Sequence, residues 1–366
     1  MRRTIVFVWE NFGPMHLDRL RAMANAGYDV LGVEFKPSSE IYGWDRVAEE
    51  CDGLRIATLC DDEERVGHRA LASRLVRVIR QSGARDVFLC HYERPAIAMA
   101  VMRLRIAGVR CYAMFDSKFD DYARIMVREI GKRALMAPYC GALTATERSR
   151  DYLRFLGVDA SRIALGYDTI DIERMAAQAQ MGATLPFVDR DFLIVARLVE
   201  KKNIAAAIGA LARCTDPHVA LRRLRIVGEG PLDATLRTHA AELGVEDRVI
   251  FEGALQSPAV SGKMRNALAL ILPSVEEQFG LVVNEALALG LPALVSTRAG
   301  AADVLVENLG NGVLIDPDDE MQIAMAMSFV AESEERHALM SRRALASAER
   351  GDVRHFVAGV ARLLES

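Results

Sequence analysis

Glu277 and Glu285 stand eight positions apart in Pro273-Ser274-Val275-Glu276-Glu277-Gln278-Phe279-Gly280-Leu281-Val282-Val283-Asn284-Glu285-Ala286, where an apolar strand-like run passes through a polar loop into a helix. Glu277 falls in the loop, where a side chain can point into a cleft. Gly280 lets the backbone turn closely, so the amides from Phe279 through Leu281 to Val282 can open the helix. A helix start has unpaired N–H groups and a partial positive charge, which suits a phosphate. Glu285, about one and a half turns further on, can reach back towards hydroxyl groups. Hydroxyl readers on either side of an anion cradle describe a nucleotide-sugar site.

A second cluster, Ala196-Arg197-Leu198-Val199-Glu200-Lys201-Lys202-Asn203, follows another apolar run. Arg197 leaves the strand's carboxyl end and Lys202 opens the next helix, so two cations are placed to hold a diphosphate. Surface Arg/Lys pairs are common in such loops, and the cluster gains its weight from the Glu277–Glu285 segment. Gly228 in Ile226-Val227-Gly228-Glu229-Gly230-Pro231 permits close backbone approach, although taken by itself a plain tight connection is the better account. Leu255, after Phe251-Glu252-Gly253, has the same standing as a strand-end contact to a base.

These segments need strands that end beside one another. Apolar runs at 4–9, 29–35, 54–59, 86–91, 110–115, 141–146 and 162–167 alternate with amphipathic stretches such as 16–26, 65–81, 96–106 and 123–135. A second series begins at 191–198 and continues at 224–228, 249–253, 269–272, 293–296 and 312–315. Strands alternating with helices imply parallel βαβ units covered on both faces. Two doubly wound α/β halves joined near 166–191 are the simplest account, with ligands beyond the strands' carboxyl ends in a crevice between them. The polar run 187–191 after Pro186 reads as the connection.

A chain of 366 residues is long for one core, and 51% hydrophobic with 26% charged residues excludes disordered and fibrous classes. The net charge of -4 gives no reason to expect nucleic-acid binding. Six cysteines, at 51, 60, 90, 111, 140 and 214, lack metal-ligand spacing and read as reduced core thiols of a cytoplasmic protein. Residues 1–10 read as a first buried strand rather than a signal peptide. There is no apolar run of about 18 residues for a membrane span. Arg69, Arg74, Arg77 and Arg80 share one predicted helix with Leu71, Leu75, Val78 and Ile79. This face could touch anionic lipid at the inner membrane surface, but a solvated face of a core-packed helix is the favoured reading.

The motifs Arg197-Leu198-x-x-x-Lys202, Gly228-Glu229-Gly230-Pro231, Phe251-x-Gly253, and Pro273-Ser274-x-x-Glu277-x-Phe279-Gly280-Leu281-x-x-x-Glu285-Ala286-x-x-x-Gly290-x-Pro292 occur in that order. Together they resemble the family 4 retaining glycosyltransferases of the glycosyl transferases group 1 type, over roughly residues 190–316. The resemblance implies the GT-B fold, two Rossmann-like domains facing across a deep cleft. It implies an acceptor domain over 1–170, completed by a C-terminal helix at 353–366, and a donor domain over 171–352. By resemblance Arg197 and Lys202 bind the donor diphosphate, and Glu277 faces the donor sugar as a catalytic residue. Phe279, Gly280 and Leu281 contribute amides, Glu285 binds the ribose hydroxyls, and Leu255 lies beside the base.

The first half matches less closely. In Glu10-Asn11-Phe12-Gly13-Pro14-Met15-His16, Gly13 is placed to approach the donor, and His16 is an acceptor contact or a surface histidine. Asp116, in Phe115-Asp116-Ser117-Lys118, stands where the family commonly has a histidine. It reads as a second catalytic residue, orienting the acceptor hydroxyl or stabilising positive charge, or else as a helix N-cap. Lys118 is assigned to the acceptor, and Gly166-Tyr167-Asp168 departs from the family's asparagine–glycine turn. The expected function is sugar transfer from a UDP- or GDP-sugar to a hydroxyl of a saccharide, lipid-linked saccharide or small molecule, with retention and with no metal or other cofactor. The alternatives are a GT-B nucleotide-sugar epimerase and a catalytically silent nucleotide-sugar-binding protein.

Overall fold

Strands buried on both faces show as continuous apolar runs, and among the described residues thirteen strands, most of them buried, form two parallel sheets. A computed structural model describes residues 2–37, 54–179 and 184–365. Cys51 lies outside them. The other five cysteines are free, with Cys60, Cys90 and Cys111 buried.

The chain divides into two units, Met1–Asp171 with Val353–Ser366, and Ile172–Asp352. The first holds β1 (Thr4–Trp9), β2 (Asp29–Glu34), β3 (Arg55–Thr58), β4 (Asp86–Leu89), β5 (Arg110–Phe115), β6 (Gly141–Thr144) and β7 (Ile163–Leu165). They form one parallel sheet in the order β3-β2-β1-β4-β5-β6-β7. The C-terminal helix Val353–Glu365 belongs to this unit. Its Phe356 ring lies 5.4 Å from that of Phe7 in β1, and the Val353 amide donates to the Ile170 carbonyl at 3.0 Å.

The second unit holds β8 (Phe192–Val195), β9 (Leu224–Val227), β10 (Val249–Gly253), β11 (Ala269–Leu272), β12 (Ala293–Ser296) and β13 (Gly312–Ile315). Their parallel order is β10-β9-β8-β11-β12-β13. The polar run at 187–191 lies inside this unit. Arg222 donates there to the carbonyls of Phe187, Val188 and Arg190 at 2.7, 2.7 and 2.9 Å.

Each sheet reverses its winding once, between β1 and β4 in the first unit and between β8 and β11 in the second. At such a reversal the loops leaving the two strands diverge and open a crevice at their carboxyl ends. The arginine-rich helix His68–Ser82 buries Ala72, Leu75 and Ile79, while Arg74 pairs with Glu64 at 2.6 Å. It is a core-packed helix with a solvated arginine face. Among the described residues no helix is long and apolar enough to cross a membrane.

Candidate active site

In the second unit the winding reversal brings together the loops after β8 and β11, and these carry the two motif clusters. Arg197 leaves β8, and Lys202 ends the 3-10 turn Glu200–Lys202 before the helix Ile204–Arg213. Lys202 therefore precedes that helix rather than opening it, because Asn203, at φ 51°, turns the chain through the left-handed region.

The loop after β11 is tied to this turn. The Val275 amide donates to the Lys201 carbonyl at 3.0 Å, Lys201 pairs with Glu276 at 3.3 Å, and Lys202 Nζ pairs with a Glu277 carboxylate oxygen. Both members of the last pair are mostly buried, at 16% and 14% exposed. That depth lifts it above an ordinary surface ion pair. Wholly buried Ser274 donates to the same Glu277 oxygen at 3.1 Å. On the other side Glu277 bridges to Ala299, and the Ala301 amide donates to the Phe279 carbonyl at 2.9 Å. Glu277 is thus oriented by neighbours on three loops.

Gly280 is the N-cap of the helix Leu281–Ala288 at φ 101°, where a Cβ would meet Leu272 Cδ2 at 2.9 Å. Glycine is required there by both backbone and space. The amides of Leu281 and Val282 begin a helix whose first N–H groups lack intrahelical acceptors. Phe279 is buried, so its side chain packs and only its backbone is suited to a ligand. Glu285 lies one turn beyond Leu281, part-buried, while Val283, Asn284, Ala286 and Leu287 face the core. At the end of β9, Gly228 has φ 137°, and a Cβ would lie 2.0 Å from the Ala196 carbonyl oxygen. Its amide donates to Gly253 at 2.8 Å, joining the ends of β9 and β10. Leu255 follows, part-exposed, beside an Ala254 amide that donates to Glu229 at 3.4 Å. The arrangement can hold an anion by two cations and a helix start, with a carboxylate fixed alongside.

The first unit arranges its own groups around β1, β4 and β5. Gly13 caps the helix Pro14–Asn25, and its amide donates to His16 Nδ1 at 2.9 Å. His16 is buried against Trp9, with ring centroids 4.8 Å apart, so it is not a surface histidine. Burial, followed by the charges of Arg19 and His91, holds it well below the usual imidazole range. It is therefore neutral near pH 7, with its proton on Nε2.

Asp116 follows β5, and burial and the nearby Asp168 charge push its carboxyl up to about 7. The N-cap alternative for Asp116 gives way, because the short 3-10 helix Phe119–Asp121 is capped at Lys118. There Asp121 reaches back to accept from the Lys118 amide at 2.7 Å. Lys118 is itself wholly buried, with its ammonium on Asp121. This corrects the expectation of an acceptor contact, since the charge is used to hold the loop.

Sequence reasoning missed the residues gathered around Asp168, whose charge acts on Asp116. Arg19, 1% exposed, lies 3.3 Å from Asp168, donates to the Thr169 carbonyl at 3.1 Å, and sits over the Tyr167 ring at 5.0 Å. The Tyr167 hydroxyl accepts from Trp9 Nε1 at 3.0 Å and meets Cys90 Sγ at 2.9 Å. Only sheet order brings these distant positions together, and the one available signal was the polar departure at Tyr167-Asp168. Among the described residues no group of three or more His, Cys, Asp or Glu side chains could hold a metal ion.

Comparison with known proteins follows the same division. Residues 185–346 match the model of Glycosyl transferases group 1. The D-inositol 3-phosphate glycosyltransferase of Acidothermus cellulolyticus is 29% identical over 274 residues, 68% of this chain and 60% of that protein. The chain spans less than two thirds of the length of this and several other curated relatives. Sucrose-phosphate synthase (tll1590) of Thermosynechococcus elongatus superposes with TM-score 0.77 at 17% identity, covering 100% of this chain and 98% of that one. Anabaena Alr3699/HepE, solved in complex with UDP and glucose, gives TM-score 0.76 at 18% identity over 100% of both chains. The structural likeness shows the fold alone, and the chain is one of GT-B fold in which residues 185–346 match the Glycosyl transferases group 1 model.

Proposed function

We propose that this chain is a retaining glycosyltransferase of the family 4 type. It transfers a sugar from a UDP- or GDP-sugar to a hydroxyl of a saccharide, lipid-linked saccharide or small-molecule acceptor. The bond from the anomeric carbon to the diphosphate oxygen breaks, a bond to the acceptor oxygen forms, and the acceptor proton leaves with the nucleoside diphosphate. One observation carries the reading: the Arg197–Lys202 turn and the Glu277 loop meet at the winding reversal of the second unit, with Lys202 on Glu277.

Arg197, Lys202 and the amides opening the helix at Gly280 take the charge of the departing diphosphate, so no metal is needed. Glu277 faces the sugar as positive charge grows at the anomeric carbon, and Glu285 reads the ribose. Leu255 lies beside the base. Asp116, His16 and Gly13 belong to the first unit and are assigned to the sugar and acceptor side. The structural neighbour that holds UDP and glucose supports a uridine donor. Retention rests on the family resemblance.

Thermal stabilisation by a panel of nucleotide sugars, followed by turnover assays with chelator present, tests the reading. A tight ligand raises apparent stability by mass action. A donor that stabilises the protein and is hydrolysed or transferred only with Glu277 intact is the expected result. Donor binding without turnover in any acceptor pool would leave a silent binding protein. Conversion of the donor to an epimer without acceptor would make the chain an isomerase.

A further inference from the structure

The helix Met126–Met136 in the first unit turns an acid inward and an apolar face outward over its first turns. Its one acidic residue, Glu129, is buried at 3% exposed, accepting from the Tyr152 hydroxyl and from Lys132 Nζ at 2.8 Å. Met136 is buried and Leu135 packs against the core, but the apolar residues of the first turns face solvent, with Val127 78% and Ile130 66% exposed beside Ile125 and Met126. The preceding turn adds exposed Phe119 and Tyr122. A helix that folds only against its own sheet does the reverse. An apolar patch of this kind marks an interaction surface.

The charges say what kind. From Phe119 to Met136 the cations are Arg124, Arg128, Lys132 and Arg133, and the acids are each paired: Asp120 with Arg148, buried Asp121 with Lys118, and the inward Glu129 with Lys132. Arg128 and Arg133 are exposed, and Arg124 stacks on the Tyr122 ring at 4.0 Å. Aliphatic tips flanked by arginine and an amphipathic tyrosine are the composition of a helix lying in a membrane interface. We propose that the turn at 119–125 and the helix Met126–Met136 form a docking surface for an anionic lipid bilayer. The helix His68–Ser82, for which the sequence favoured a core-packed reading over lipid contact, buries Ala72, Leu75 and Ile79 and is not part of it.

The donor reading plays no part in this inference, and vesicle binding separates the two. The full chain should float with vesicles of phosphatidylglycerol and phosphatidylcholine in equal parts, and bind phosphatidylcholine alone at least about tenfold more weakly. Added salt should release it. The double variant Val127→Asp/Ile130→Asp should lose binding by about tenfold or more. Leu221→Asp, at a 92% exposed apolar site in the second unit, should leave binding unchanged. Val127→Trp should show a blue-shifted emission on addition of the anionic vesicles, which reports insertion without relying on a disruptive variant. Absence of wild-type binding, equal binding by the aspartate variant, or unshifted emission would overturn the proposal. Self-association abolished by Val127→Asp/Ile130→Asp, without vesicle binding, would assign the surface to a second copy of the chain and overturn it too.

Discussion

Glu277→Gln should tighten nucleoside diphosphate binding while abolishing most turnover. Lys202 rests on Glu277, both side chains largely shielded from water. A diphosphate arriving at Lys202 must share or displace that hydrogen bond, and bonds between charged groups contribute about 1.5–3 kcal/mol. It also meets the Glu277 negative charge: at an effective dielectric of about 20, like charges about 8 Å apart repel by about 2 kcal/mol. Glutamine keeps the shape and a hydrogen-bonding oxygen for Ser274 but removes the charge. Allowing for that retained bond and for screening, the net gain is about 1 kcal/mol, or about fivefold tighter UDP or GDP. Turnover should fall about a hundredfold, since the carboxylate's stabilisation of the developing sugar cation is lost. Isothermal titration with UDP and GDP, beside initial-rate assays with the matching donor, reads both effects. Weaker diphosphate binding in Glu277→Gln would refute the competition between carboxylate and ligand, and a normal rate would demote Glu277 to a scaffold residue.

Arg19→Met removes one partner of a buried ion pair and leaves Asp168 without its guanidinium, so it should cost about 3–5 kcal/mol, read as a lower denaturant midpoint. A midpoint within about 0.5 kcal/mol of wild type would contradict that view of the pair. Burial and the Asp168 charge push the Asp116 carboxyl up to about 7 in the folded protein, against about 3.9 for an unfolded aspartate. The folded chain therefore holds a proton that the unfolded chain has lost, and this group's contribution to stability falls as pH rises between those values. Wild type should lose stability relative to Asp116→Asn across that window, and parallel pH–stability curves would disprove the shift. Gly228→Ala places a Cβ against the Ala196 carbonyl at a backbone angle closed to alanine. It should destabilise by at least about 1–3 kcal/mol and weaken donor binding. An unchanged melting temperature would show that the strand ends can separate.

The strands were legible because a doubly covered parallel sheet leaves apolar runs between polar or glycine breaks. The runs read at 4–9, 110–115 and 269–272 are β1, β5 and β11 to the residue. The loops after β8 and β11 were legible for a different reason: Arg197 to Lys202 and Glu277 to Glu285 are each contiguous, so their chemistry shows as spacing. The Arg19–Asp168 pair joins residues 149 apart, and only the folded chain makes it visible. Lys118 looked available because a lysine in a polar run is normally solvated, and its pairing with Asp121 reverses that. The helix expected at 123–135 exists as Met126–Met136, but periodicity could not tell which face would be outward. Apolar spacing reads as core unless an acid such as Glu129 can be satisfied within it.

The central claim is that the loops after β8 and β11 form a nucleotide-sugar diphosphate site, and titration of Arg197→Ala and Lys202→Ala with UDP and GDP tests it most directly. Each variant should weaken binding of the preferred nucleotide by about 1–3 kcal/mol through lost charge-assisted hydrogen bonds. Unchanged nucleotide affinity in both variants would contradict the assignment of the site.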